Sequence, residues 1–160
     1  MLYCAYGSNM NLEQMAYRCP NSKIVGTGQI KNYQLVFNMC ADIIKSDNAE
    51  NFVPVVLWEI AEEDWERLDI YEGYPHFYTK EVVTVSCGKN NVEAIVYVMT
   101  DDNKGIEPPM YDYFMGILAG YTENNINTKP LYDALKHSQE HKTVHSKYVY
   151  GRLSKKLNRR

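Results

Sequence analysis

No run of apolar residues in this chain is long enough to span a bilayer, so a helical membrane anchor is not expected. The start, Met1-Leu2-Tyr3-Cys4-Ala5-Tyr6-Gly7, lacks both a basic region and a long apolar stretch, and so does not read as a signal peptide. Cysteine is sparse. Cys4, Cys19, Cys40 and Cys87 are widely spaced and form no C-x-x-C pair, which points to reduced, buried thiols of a cytoplasmic protein rather than a zinc site or a disulfide frame. Neither sign of charge dominates. A formal net charge of -3 gives no support to nucleic-acid binding as the main role. The patterns G-x-G-x-x-G, G-x-S-x-G and H-E-x-x-H are all missing, so no dinucleotide fingerprint, hydrolase elbow or zinc-protease helix is signalled. Internal repeats and low-complexity segments are missing too.

What the chain does have is length for a core and much tyrosine. Its 160 residues favour a single domain, placed over residues 1–150 and followed by a basic tail over 151–160. The tail reads as a solvated or frayed end. The 14 tyrosines favour strands, and they also suit pocket walls, since each offers an apolar ring and a hydroxyl.

Residues 2–6 read as a short buried strand and residues 7–10 as a turn. A helix is expected over 11–18, with Leu12, Met15 and Ala16 inward, a capping box from Asn11 and Gln14, and Pro20 as its stop. Residues 24–26 and 29–30 read as strand with a bulge at Gly26 and Gly28. Residues 33–38 alternate and form another strand. Residues 41–51 read as a polar connection. Residues 53–60 are a strongly apolar strand, with Pro54 tolerated near its start by an edge or bulge. Strands over 80–86 and 92–99 are joined by a hairpin signal at Gly88-Lys89-Asn90-Asn91. A loop over 101–109 precedes helices over 111–121, loosened by Gly116 or Gly120, and over 130–142, with Leu131 and Leu135 inward. About six strands with interspersed helices argue for a compact α+β domain built on a curled mixed sheet.

Two segments stand out chemically. Trp65, Leu68 and Glu72 fall at spacings of three and four, so they share one face of a predicted helix. That face is otherwise apolar, and Glu62, Glu63 and Glu66 lie elsewhere. Gly73 reads as the residue just past the helix end. Glu72 is thereby placed on a buried stripe at the negative end of a helix dipole. Both features disfavour its charged form and suit it to proton transfer near neutral pH. The ordinary alternative is a solvated glutamate in a last turn. Asp69 is an alternative acid, or else caps a turn or repels Glu72.

The second segment is Tyr6-Gly7-Ser8-Asn9-Met10, between a strand and a helix. Free backbone N–H groups at a helix start hold carboxylates and oxyanions. Gly7 permits close backbone approach, and Ser8 and Asn9 add side-chain hydrogen bonds. A plain helix cap is the alternative. His137, His141 and His145 recur every fourth residue, which reads as an exposed polar face rather than a metal site. His76 reads as a loop histidine near Glu72.

In order and spacing, Tyr6-Gly7-Ser8-Asn9, Leu68-Asp69-x-x-Glu72-Gly73, Tyr78, and Pro108-Pro109 followed by Tyr113 resemble the γ-glutamylcyclotransferase-like family, which includes the plant avirulence-induced proteins. The resemblance covers roughly residues 2–121. It implies a small mixed β-barrel of about six strands flanked by helices. It implies release of 5-oxoproline and a free amine from a γ-glutamyl amide. The family's catalytic glutamate falls on Glu72 and its substrate loop on Tyr6, Gly7, Ser8 and Asn9. Its substrate-contacting tyrosine falls on Tyr113, with Tyr111 as the alternative, and Tyr78 matches a tyrosine near the pocket.

Such a reaction calls for no covalent nucleophile, metal or cofactor. The α-amino nitrogen attacks its own γ-carbonyl, and proximity of this kind is worth about 7–11 kcal/mol over a bimolecular attack. The N–H groups of residues 7–9 would hold either the substrate's α-carboxylate or the developing oxyanion. The expected partner is a small γ-glutamyl substrate, with no nucleic acid and no membrane; the leaving amine and the oligomeric state stay open. Two other readings stand beside this one. One is a non-catalytic module binding γ-glutamyl or other carboxylate-bearing ligands. The other is a tailoring cyclotransferase acting on a carrier-bound γ-glutamyl group, for which the basic tail is a weak pointer.

Overall fold

The computed structural model describes residues 1–143. Its strands are β1 (Leu2–Ala5), β2 (Lys23–Lys31), β3 (Tyr33–Asn38), β4 (Cys40–Lys45), β5 (Phe52–Glu59), β6 (Tyr78–Cys87) and β7 (Asn90–Met99). Five of them close a barrel in the order β1-β5-β2-β6-β7. A parallel contact between Tyr3 and Ile95 joins β7 back to β1, and the other barrel pairings are antiparallel. β3 and β4 form a separate antiparallel pair. The fold is thus the α+β barrel expected, with five strands in the barrel and two beside it.

The strand missing from the sequence reading is β4, which occupies the start of the segment read as a polar connection. Its first four residues, Cys40, Ala41, Asp42 and Ile43, are buried. Asp42 hides the strand because a carboxylate interrupts the apolar pattern. Inside the fold it is satisfied, accepting the Met99 N–H at 2.9 Å and the Asn38 amide at 3.3 Å. Met39, with φ of 63°, makes the tight turn that lets Asn38 pair with Cys40.

The bulge in β2 comes between Ile24 and Gly26, one step before its expected place. Gly28 serves the crossing of β2 and β6, since a Cβ there would lie 2.5 Å from Val85 Cγ1 and 2.9 Å from the Ser86 carbonyl oxygen. Pro54 faces Gln29 of β2 but lies beyond the reach of β1, which pairs only with residues 56–59 of β5. No ladder on that side requires its missing N–H. The β6–β7 hairpin turns on two residues, with Gly88 at φ of 63°.

The α-helices of the described residues are α1 (Leu12–Arg18), α2 (Trp65–Glu72), α3 (Tyr111–Glu123) and α4 (Lys129–Glu140). The Asn11 side chain caps α1 by accepting the Gln14 N–H at 3.0 Å. The inward face of α1 is Met15 and Arg18, while Leu12 and Ala16 are exposed. The expected face is off by part of a turn because α1 packs over a polar network as well as the core. α2 buries Leu68 and Glu72 and ends at Gly73, whose φ of 66° and N–H bonds back to the helix form a left-handed cap.

α3 runs unbroken through both its glycines and buries Tyr113, Phe114, Ile117, Gly120 and Tyr121. Neither glycine loosens it. A Cβ on Gly120 would meet the Met10 carbonyl carbon at 2.8 Å and the Asn11 nitrogen at 2.9 Å, so this glycine lets α3 lie against the 8–11 turn. α4, with Leu131, Ala134 and Ser138 inward, packs on β3.

Candidate active site

The end of β1, the following turn, the tip of the β3–β4 hairpin, the end of α2 and the first turn of α3 meet at one narrow cleft. The turn Ser8–Met10 is a single 3-10 turn, and α1 starts only after Asn11. Tyr6, Gly7, Ser8, Asn9, Glu72, Tyr78 and Tyr113 all line the cleft, so the seven candidate residues, scattered over more than a hundred positions, come together. Tyr3, Ala41 and Tyr97 line it as well and were missed. Tyr3 lies in the short strand that leads into the Tyr6–Asn9 loop; Tyr97 is brought close by the β6–β7 ladder, and Ala41 by the unforeseen β4. Tyr111, the alternative to Tyr113, is 73% exposed and outside the cleft.

Glu72 is only 7% exposed. Its Oε1 accepts a hydrogen bond from Asn9 Nδ2 at 3.0 Å, and the same nitrogen donates to the Tyr3 hydroxyl at 3.0 Å. Asn9 is held from two further directions. Its Oδ1 accepts from Arg18 Nη1 at 2.6 Å, its carbonyl accepts from Trp58 Nε1 at 3.0 Å, and Arg18 also reaches Ser8 Oγ at 3.3 Å. Ser8 Oγ in turn shares a 2.9 Å hydrogen bond with the Tyr71 hydroxyl.

The tyrosine hydroxyls are mostly committed to the protein. Tyr6 donates to the Tyr97 carbonyl at 2.6 Å and Tyr78 to the Ala41 carbonyl at 2.6 Å, while the Tyr113 oxygen accepts the Ala41 N–H at 2.9 Å. Two tyrosines therefore clamp the hairpin tip at the cleft floor. Burial pushes the hydroxyls of Tyr3, Tyr6, Tyr78 and Tyr113 well above the ordinary tyrosine pKa, and the Glu72 charge pushes the same way, so they are neutral donors and acceptors. The neighbouring thiols are equally inert. Burial raises Cys4 to about 12, and burial with the nearby Asp64 raises Cys19 to about 11.

Gly7 sets the width of the cleft, because a Cβ there would sit 3.3 Å from Ala41 Cβ and 3.5 Å from the Tyr113 oxygen. The free volume is about 20 Å³, room for one water-sized group. A wider groove of about 730 Å³, bounded by β2, β3 and the α3–α4 connection, shares no lining residue with the cleft. Its carboxylates are the exposed Glu50 and Asp133, the latter paired with Lys129 at 2.6 Å. Of these two, the narrow cleft holds a buried carboxylate among hydrogen-bond donors, which makes it the candidate site.

Asp69 does not share the cleft. Its carboxylate takes the Tyr97 hydroxyl and the Lys80 ammonium, the latter at 2.6 Å. Lys80 lies over the rings of Tyr74 and Trp65 at 4.5 and 5.2 Å. This network braces Tyr97 from behind. His137 of α4 and His141, just past its end, stack 4.5 Å apart, and His145 lies outside the described residues, as does the basic tail. Among the described residues no cluster of His, Cys, Asp or Glu is arranged for a metal ion.

The chain is similar to several known proteins. Over 80 residues the chain is 30% identical to a Methanocaldococcus jannaschii protein provisionally named a gamma-glutamylcyclotransferase; the match covers 48% of this chain and 65% of that one, slightly under two thirds of its length. A solved structure described as a gamma-glutamyl cyclotransferase superposes with a TM-score of 0.72 at 21% identity, covering 97% of this chain and 98% of its own. A Homo sapiens protein described as uncharacterized superposes at 0.73 with 22% identity, over 96% and 97% of the two chains. YkqA from Bacillus subtilis does so at 0.71 with 19% identity, over 90% of this chain and 56% of that one. These likenesses speak for the fold. The sequence model of the gamma-glutamyl cyclotransferase, AIG2-like family matches residues 3–114, from β1 through the start of α3. That span holds every residue of the cleft and well over half of the sequence: the chain belongs to the gamma-glutamyl cyclotransferase, AIG2-like family.

Proposed function

We propose that the protein is a γ-glutamyl cyclotransferase that releases 5-oxoproline and a free amine from a γ-glutamyl amide, with Glu72 as acid and base. The observation that carries this reading is the buried Glu72 carboxylate, 3.0 Å from Asn9 Nδ2 in a cleft walled by tyrosines. A free α-amino group titrates near ~8, so the substrate's α-ammonium must lose a proton before its nitrogen can attack. Glu72 takes that proton. The nitrogen then adds to the γ-carbonyl carbon and closes a five-membered ring. The amide C–N bond breaks as Glu72 gives that proton to the leaving nitrogen. Glu72 then takes the second proton from the ring nitrogen, and this proton ends on the freed amine as its ammonium. One carboxylate serves these transfers, and the reaction balances with no other reactant.

The N–H groups around Gly7, Ser8 and Asn9 hold the α-carboxylate or the oxyanion of the tetrahedral intermediate. Tyr6, Tyr78 and Tyr113 wall the substrate with ring faces, since the hydroxyls of Tyr6 and Tyr78 are occupied by backbone carbonyls. The test is a panel of γ-glutamyl compounds assayed for 5-oxoproline, which also identifies the leaving amine. Glu72→Gln keeps the shape and removes the base. It should lower kcat by about 10²–10⁴-fold or more with an unchanged melting temperature. Full turnover in Glu72→Gln would sink the assignment. Tight ligand binding and thermal stabilisation without product would favour a binding module instead.

A further inference from the structure

Among the described residues, Arg18 is the arginine that hydrogen-bonds the turn carrying Ser8 and Asn9, and it belongs to no part of the reaction drawn above. It is only 9% exposed. Its carbonyl accepts from Arg67 Nε of α2 at 2.9 Å, which pins the end of α1. Its guanidinium lies 3.8 Å from the Tyr71 ring centroid and donates to Gln14 Oε1 at 2.7 Å as well as to Asn9 and Ser8. So the guanidinium is held by the side chains of Ser8, Asn9, Gln14 and Tyr71.

The chemistry of the three partners gives this contact a direction. A guanidinium has donors only, and an asparagine amide has an oxygen on one side and an NH₂ on the other. Facing Arg18, Asn9 must present Oδ1. Its Nδ2 is then forced toward Tyr3 and Glu72, and its two hydrogens are directed at the two acceptors found there. With the opposite amide orientation, Oδ1 would face the Glu72 carboxylate and NH₂ would face a cation. We propose that Arg18 is a positioning residue: from α1 it locks the Asn9 amide in the orientation that donates to the Glu72 carboxylate, and so sets how readily Glu72 takes and returns a proton. Gly116 belongs to the same device, because a Cβ there would lie 2.7 Å from Gln14 Nε2, on the side chain that holds Arg18.

The kinetic part of this inference rests on the cyclotransferase reading; the amide orientation does not. The variants are Arg18→Met, which keeps a long apolar stem and removes every donor, and Arg18→Lys, which keeps one charged donor. Circular dichroism and melting temperature establish that each is folded, and Arg18→Lys carries the test where Arg18→Met does not fold. The first readout is the ¹⁵N-resolved Asn9 side-chain amide, expected to exchange slowly in the wild type and to lose that protection in Arg18→Met. The second is the pH dependence of kcat. Arg18→Met should lower kcat by about 10²-fold with KM little changed, and should move the acidic limb of the profile to higher pH. Arg18→Lys should recover part of the loss.

The third readout is coupling: Arg18→Met combined with Asn9→Ala should be no worse than Asn9→Ala alone. An unchanged Asn9 amide signal and acidic limb in Arg18→Met, or losses that multiply in the double variant, would overturn the proposal and leave Arg18 as packing. A wild-type protein that releases no 5-oxoproline defeats the cyclotransferase reading, and the amide signal then decides the role of Arg18 by itself.

Discussion

Asp42 shows how much a single side chain contributes to this site from behind. It is fully buried and ties β4 to β7 through the Met99 N–H, which holds the hairpin tip where Tyr78 and Tyr113 grip Ala41. Burial raises its pKa above the usual carboxylate value, against the lowering effect of the backbone N–H groups it accepts. The folded value therefore lies above the unfolded one, near 3.9. Its favourable contribution is complete below about pH 3.9 and is lost as pH rises through the raised folded value. Asp42→Asn has no such loss, so its melting temperature relative to wild type should climb as pH rises above about 3.9. A constant difference across that range would refute the account. Asp42→Ala strips the Met99 N–H of its acceptor and should cost about 1–3 kcal/mol in denaturant unfolding.

At the scale of elements, the cleft depends on how closely α3 lies on the turn after β1. Gly120 permits that contact against backbone atoms, which do not move aside, whereas Gly116 faces the flexible end of Gln14. The two substitutions should separate accordingly. Gly120→Ala gains about 1 kcal/mol of helix propensity, but overpacking of about 1–3 kcal/mol opposes it, and the displaced 8–11 turn carries Ser8 and Asn9 with it. Lower stability and lower turnover together are expected. Gly116→Ala should keep or raise stability, since only a side-chain end must shift. Thermal melts of the pair decide the matter; equal effects would mean that the α3 contact is not the constraint.

At the scale of the molecule, the site and the core are built from the same tyrosines. Tyr3, Tyr6, Tyr78 and Tyr113 are buried, and burial raises their pKa values well above 10. In the unfolded chain they ionise near ~10. Their contribution to stability is therefore complete below about pH 10 and falls as pH rises beyond it, because only the unfolded chain releases those protons there. Tyrosinate absorbance and circular dichroism, followed together in an alkaline titration, should show these tyrosines ionising only as the fold is lost. Ionisation of the full complement of 14 tyrosines near pH 10 with the fold intact would contradict the burial.

Periodicity and end signals are local, and by itself the sequence determined what depends on them. These are the α2 stripe of Leu68 and Glu72 with Gly73 as its stop, the β6–β7 hairpin, the Asn11 cap, and the family to which the motif order belongs. It also determined the candidate residues, because Tyr6–Asn9, Glu72, Tyr78 and Tyr113 carry recognisable neighbours. Only the tertiary structure decided the rest. β4 was hidden because a buried, satisfied aspartate looks like a loop residue until its partners are known. Arg18 looked like the polar side of α1, Tyr3 and Tyr97 like ordinary strand residues, and Gly120 like a weak point in a helix. Each acquires its role from a partner far away in the chain, Tyr71 and Arg67 for Arg18, the Met10 backbone for Gly120. Hydrogen-bond direction and van der Waals contact exist only once the barrel has brought those partners together.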